Sequence, residues 1–208
     1  LCNYGLFLSE VRHSFPRAKE MYERALVVDP QHANSLYNYG VMLDTHLKQK
    51  DEAEELYRRA IAAAPRHAFA CYNLAVLLEE RLERLDRSQA EQVQRYGKRG
   101  DDSDPGSHGF TRQERVREVV GMYHRACELS PGDATSLSDY GRFLASQTPL
   151  IEQATQALNA ALEADPNCET ALYHLGALQL NKLDDASSAE LLVRRLLHTS
   201  PSHMAGCQ

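Results

Sequence analysis

The residues of this chain best suited to chemistry are its nine histidines and five cysteines, and neither set is spaced for it. No histidine stands with a serine and an acid, or with a cysteine, in an order that recurs at a convergent place. Nucleophilic catalysis therefore finds no support. His32, His67 and His203 each follow a proline by two residues, which marks a helix start and not a site. Cys2, Cys71, Cys127, Cys168 and Cys207 are far apart and odd in number. No CxxC or Cys/His spacing suggests a metal, and a reducing, cytoplasmic compartment is the natural reading. Acidic runs such as Glu52-Ala53-Glu54-Glu55, with Arg58 and Arg59 four residues on, read as solvated helix faces. The expectation is a chain that is not an enzyme and has no catalytic residue, no cofactor and no metal.

One loop invites sharper readings. Gly97-Lys98-Arg99-Gly100 lacks the spacing and the Ser/Thr of a phosphate-binding loop and follows no strand. Asp102, Asp104 and Gly106 echo a calcium loop, but the twelfth place holds Gln113 where a carboxylate is needed. Ser103 and Ser107 are candidate phosphorylation sites in a partner-specific loop. The plain reading, a tolerated solvated insertion, is preferred.

What does recur is an amide. Asn3, Asn38 and Asn73 stand at one register, and an amide side chain donates and accepts at once, as a peptide group does. The elements that position these amides follow from a repeat. Apolar helices end at Pro30, Pro65, Pro131, Pro166 and Pro201, and three of the four intervals are 35 residues (30 to 65, 131 to 166, 166 to 201). Five before each proline come Ala25, Ala60, Ala126, Ala161 and Leu196; eight before come Tyr22, Tyr57, Tyr123, Leu158 and Val193. An upstream element has a small residue at Gly5, Gly40, Ala75, Gly141 and Gly176, with Leu1, Leu36, Cys71, Leu137 or Leu172 four before it. Steps of three and four place each set on one helix face. Each repeat is two short amphipathic helices that bury their stripes only by stacking. Asp51 with Glu54 reads as a capping arrangement, and Thr148-Pro149 places a proline at a first helical position.

The long interval carries an insertion, Leu85 to Gln113. Ser88 with Glu91 predicts a new helix running to Tyr96, with helix resuming near Thr111. The alternative is one long helix from about Ala68 to Tyr96.

This pattern resembles the tetratricopeptide repeat family, whose small and large residues on two antiparallel helices end in proline. Here the stride is one residue longer, which places the extra residue in the turn between helices. The family's first-helix Trp is replaced by Leu or Cys, and the chain has no Trp. The resemblance implies an all-α, right-handed α-solenoid of antiparallel helix pairs. Its repeats are read at about 1–30, 31–65, 66–131 with the insertion at 85–113, 132–166 and 167–201, with a further helix starting at 202–208. Leu1 already lies inside a first helix, so a segment of a longer array is expected.

The resemblance also implies function. On a first helix Leu36, Tyr39, Gly40 and Leu43 cluster on the packing side, and Asn34, Tyr37, Asn38 and Val41 on the opposite side. By resemblance that opposite side lines a concave groove for an extended peptide or partner helix. Its candidate residues are Asn34, Tyr37, Asn38, Val41, Phe69, Tyr72, Asn73, Val76, Asp139, Arg142, Tyr173 and His174. Three neutral hydrogen bonds net about 2–4 kcal/mol against roughly 8 for micromolar binding. Tyr37, Phe69 and Tyr72 are the anchors expected to supply the rest. The amide row resembles the asparagine ladder of the O-linked N-acetylglucosamine transferases, so a recognition arm of such a glycosyltransferase is one alternative. A structural subunit of a large assembly is another. The chaperone clamp for C-terminal carboxylates needs Lys where Cys2, Tyr37, Phe69 and Tyr72 stand, so it is not expected. A net charge of -6 disfavours nucleic acid as the main partner, and no stretch reads as membrane-inserted. The expected partners are proteins or peptides.

Overall fold

The computed structural model describes residues 1–96 and 111–199. By compactness the chain divides into Leu1–Met122 and Tyr123–Gln208. The first unit holds α1 (Cys2–Glu10), α2 (Phe15–Val28), α3 (Ala33–Met42), α4 (Lys50–Ala63), α5 (Ala68–Tyr96) and the start of α6 (Arg112–Leu129). The second holds the rest of α6, then α7 (Ala134–Gln147), α8 (Ile151–Ala164), α9 (Glu169–Lys182) and α10 (Ala186–Thr199). Among the described residues there is no strand. The helices pack as consecutive pairs: α1 on α2 and α3 on α4 in the first unit, α7 on α8 and α9 on α10 in the second.

The recurring small residues are the points of closest approach. A Cβ added at Gly5 would stand 2.9 Å from the Tyr22 ring, and one at Gly40 would stand 2.9 Å from the Tyr57 ring. At Gly141 it would stand 2.6 Å from Leu158 Cγ. Gly176 is different: its nearest neighbour would be Leu192 Cβ at an ordinary 3.6 Å. Around these points Tyr22, Tyr57, Leu36, Phe143, Leu144, Leu158 and Leu172 are buried, as the sequence pattern demands.

After Pro30, Pro65 and Pro131, though not after Pro166, the helix start is capped by the second residue on. His32 Nδ1 accepts from Ser35 N–H at 3.1 Å, and His67 Nδ1 accepts from Ala70 N–H at 3.2 Å. Asp133 Oδ2 does the same for Ser136 N–H at 3.3 Å. Each satisfies one of the amides that a helix leaves open at its start.

Three of the first helices end alike. His13, Lys48 and Asp184, each seventeen residues before its proline, have φ of 48°, 57° and 53°. The next amide reaches six residues back: Ser14 N–H to the Leu8 carbonyl, Gln49 to Leu43, Asp185 to Gln179. This is a left-handed helix ending, one residue wider than the common form and here without glycine. In α3 it follows a wider, π-helical turn over Leu43–Leu47. The equivalent place before Pro166 is Pro149, whose ring forbids positive φ. There Thr148 is extended instead, with φ -133° and ψ 160°.

Three local expectations are corrected. Helix α4 starts at Lys50 after Gln49, so Asp51 lies in its first turn and does not cap it. The left-handed turn at Lys48 delivers the chain into the helix early. Helix α8 starts at Ile151 after Leu150, so Pro149 precedes the helix and Thr148 Oγ1 accepts from Leu150 N–H at 3.2 Å. Finally, α5 runs unbroken from Ala68 to Tyr96, the long-helix alternative, so Ser88 and Glu91 sit inside it. No Gly or Pro interrupts this stretch, and buried Leu78 and Leu82 carry the apolar stripe through.

Helix does resume beside Thr111, which shares a reciprocal capping box with Glu114: Thr111 N–H to Glu114 Oε2 at 2.7 Å and Glu114 N–H to Thr111 Oγ1 at 3.3 Å. Arg112 grips Asp86 of α5 with both Nε and Nη2. Arg58 of α4 joins Glu54 and Glu118 at 2.8 and 2.7 Å. The readings placed on Gly97 to Gly109, and the helix start after Pro201, lie outside the described residues.

Candidate functional site

On α3 and α5 the amides of the first unit meet the preceding first helix. Asn73 Nδ2–H donates to Tyr37 Oη at 3.3 Å. Asn38 Nδ2–H points to Cys2 Sγ at 3.7 Å, a weak acceptor. Both contacts span 36 residues, because each amide reaches the residue one position earlier in the repeat before it. In both contacts the amide acts as donor through Nδ2, and Asn73 also lies close to the Tyr57 hydroxyl.

Tyr37 is the centre of an aromatic group. Its ring lies 4.7 Å from His67, 6.1 Å from Tyr57 and 6.5 Å from Phe69, centroid to centroid. Phe69 is 62% exposed, too much for a core residue of its size. Burial raises the Tyr37 pKa, partly offset by the Asn73 hydrogen bond. Burial lowers that of His67, keeping the imidazole neutral, with its own backbone opposing slightly. Behind Tyr37, Tyr57 is fully buried, and its Oη has no hydrogen-bond partner among the described residues. Its pKa is raised, first by burial and next by Asp44. Tyr72, Val41 and Val76 are half-buried, and Asn34 is exposed.

The predicted residues of the second unit form a separate group. Arg142 Nε lies 3.6 Å from Asp139 Oδ1 on the same helix. His174 is half-buried, and its pKa is lowered first by burial and then by Arg142, against Asp139. Tyr173 is 59% exposed and meets the His174 ring edge-on at 5.0 Å. Thus Tyr37, Phe69 and Asn73 are linked in one unit, with Asn38 on Cys2, and Asp139, Arg142, Tyr173 and His174 are linked in the other.

Sequence reasoning missed His67, Tyr57 and Asp44. His67 was legible only as a cap, and its ring serves Tyr37 as well. Tyr57 was legible as core, which it is, but the fate of its hydroxyl depends on side-chain geometry. Asp44 stands four after Gly40, the same side as Val41, and that step was available. Among the described residues no cluster of three His, Cys, Asp or Glu side chains could hold a metal ion, and no helix is long and apolar enough to cross a membrane.

Residues 11–68 match the family profile described as tetratricopeptide repeat. No curated protein matches the chain. Solved structures do. The crystal structure of YrrB, described as a TPR protein with an unusual peptide-binding site, is similar at a TM-score of 0.69 and 21% identity, over 98% of this chain and 86% of that one. MamA (residues 41 to the end) from Desulfovibrio magneticus RS-1 gives 0.69 at 15% identity, over 97% and 94%. PilF of Pseudomonas aeruginosa gives 0.67 at 18% identity, over 96% and 74%. At these identities the likeness is one of fold. The profile matches 11–68, and over the chain as a whole the likeness, with the small-residue contacts of the helix pairs, gives the all-α solenoid fold of tetratricopeptide repeat proteins.

Proposed function

We propose that this protein is a protein–protein interaction scaffold that takes an extended segment or helix of a partner on the open side of its first helices. The fold points to the coarser statement. The observation that carries the finer one is the state of Asn38 and Asn73. Each spends one N–H on a neighbouring repeat and has further donor and acceptor capacity on a face where Phe69 is open. A peptide backbone offers the complementary N–H and C=O. The peptide-binding site named in the description of YrrB supports the reading by analogy of fold. Asn34, Tyr37, Val41, Tyr72 and Val76 complete this face in the first unit; Asp139, Arg142, Tyr173 and His174 form its counterpart in the second. The repeat boundaries at Pro30, Pro65, Pro131 and Pro166 belong to the same proposal.

Photo-crosslinking tests it. A benzoylphenylalanine at Val41 or Val76 is expected to capture a partner that one at Glu20 or Glu55, on the second helices, does not. Asn38→Ala with Asn73→Ala is expected to weaken that capture. Equal capture from both sides, or capture indifferent to the double substitution, refutes the groove.

A further inference from the structure

We propose that the partner segment carries a basic side chain, lysine or arginine, which seats on the Tyr37–Phe69 aromatic group and directs its charge toward Asp44. This rests on the groove reading above and names the chemistry of its occupant. Three observations lead to it.

The first is charge at the open register. Four and five after the small residue stand Ser9 and Glu10, Asp44 and Thr45, Glu79 and Glu80. No Lys or Arg occupies an open first-helix position from Leu1 to Glu80. Two of these acids are engaged: Glu80 pairs with Lys50, and Glu10 Oε1 lies 3.4 Å from His46 Nε2. Glu79 is buried and has contacts of its own. Asp44 is half-buried, and no cation pairs with it among the described residues. A half-buried carboxylate without a cation favours a ligand that brings one.

The second is the aromatic group. Tyr37, His67 and Phe69 present ring surface with Phe69 open to solvent. An aliphatic stem with a terminal charge covers such a surface and gains a cation–π attraction. His67, kept neutral by burial, does not oppose the incoming charge.

The third is Tyr57. Its buried hydroxyl makes no hydrogen bond of ordinary geometry, although Asp44 and Asn73 lie near enough to act on it. A buried orphan of this kind is rare and marks a place where a polar group is expected. An ammonium or guanidinium near Asp44 can donate to it.

Selection from a displayed library of random dodecapeptides on the folded protein provides the test. The expected result is enrichment of peptides with Lys or Arg fixed at one position. The best peptide, synthesised with a fluorescein label, is expected to lose about tenfold in affinity on Asp44→Asn and severalfold on Phe69→Ala. Replacing its basic residue by norleucine is expected to cost as much as Asp44→Asn, a check that does not depend on how a protein variant folds. Enriched peptides without a fixed basic residue, or affinity indifferent to Asp44→Asn and norleucine, overturn this proposal and leave the groove intact. No enrichment at all overturns the groove with it.

Discussion

Three amides in one unit, and an acid and an imidazole in the other, occupy equivalent places on the same kind of helix. In Leu1–Met122 the register two before the small residue reads Asn3, Asn38 and Asn73; in Tyr123–Gln208 it reads Asp139 and His174. The backbone tolerates both because this side of the helix packs nothing in the core. The packing side also differs, in the opposite sense. Gly5 and Gly40 of the first unit abut tyrosine rings, Gly141 abuts Leu158, and Gly176 abuts nothing within 3.4 Å. Like residue types at like positions therefore do not carry like energies; the partner across the gap decides.

That claim breaks most visibly at the glycines. Gly40→Ala places a methyl inside contact distance of the rigid Tyr57 ring, and overpacking of this kind costs about 1–3 kcal/mol. Gly176→Ala meets only open contact and gains helix propensity, up to about 1 kcal/mol. Urea denaturation of the two variants is expected to move the midpoint in opposite directions. Equal losses would mean that the two helix pairs are packed alike after all.

Buried tyrosine sharpens the comparison next. Burial pushes Tyr22 and Tyr39 up to about 12, and their rings stack at 5.6 Å. A raised folded pKa means stability that is whole below the ordinary value near 10 and lost as pH rises through about 12. In α8 and α10 the register of Tyr22 holds Leu158 and Val193, which do not titrate. Tyr22→Phe is expected to remove part of the alkaline loss, followed by ellipticity and by phenolate absorbance from pH 9 to 12. It also removes a buried hydroxyl without a partner, so little is lost at neutral pH. An unchanged alkaline transition would place the sensitive tyrosines elsewhere.

The fold was legible because packing repeats. Proline, the alanine five before it and the small residue upstream recur at one stride, and five phased copies outweigh any single ambiguous helix. The break at Ser88 was misread because a capping box is a local signal, and α5 had no need of a start there. The candidate face was legible by subtraction, as the side the core leaves free. Its linkages were not. The bond from Asn73 to Tyr37, the ring contact of His67 and the orphan Tyr57 Oη depend on distances between repeats, which periodicity along one helix does not encode.

The turns offer a smaller test. Lys48 and Asp184 hold φ of 57° and 53°, which costs a residue with a Cβ about 1 kcal/mol relative to glycine. Lys48→Gly and Asp184→Gly are each expected to raise stability by about 0.5–1 kcal/mol in thermal denaturation. Pro149→Gly is expected to lower it, because Thr148 there is extended and no left-handed cap awaits a glycine.

The smallest effect bears directly on the second unit's face. His174 has its pKa lowered by burial and by Arg142, with Asp139 pulling the other way. A depressed folded pKa means stability that is whole above the ordinary histidine value near 6.5 and lost as pH falls through the folded value. Arg142→Gln removes the opposing charge and is expected to raise the His174 pKa, softening the acid loss. Asp139→Asn is expected to lower it further. His67, in the first unit, owes its shift to burial and has no ion pair across it, so neither substitution is expected to move it. Imidazole proton titrations followed by NMR in the three proteins read both sites at once. Parallel shifts of His174 in the two variants would show that burial alone sets it, and that Asp139, Arg142 and His174 do not act as one electrostatic group.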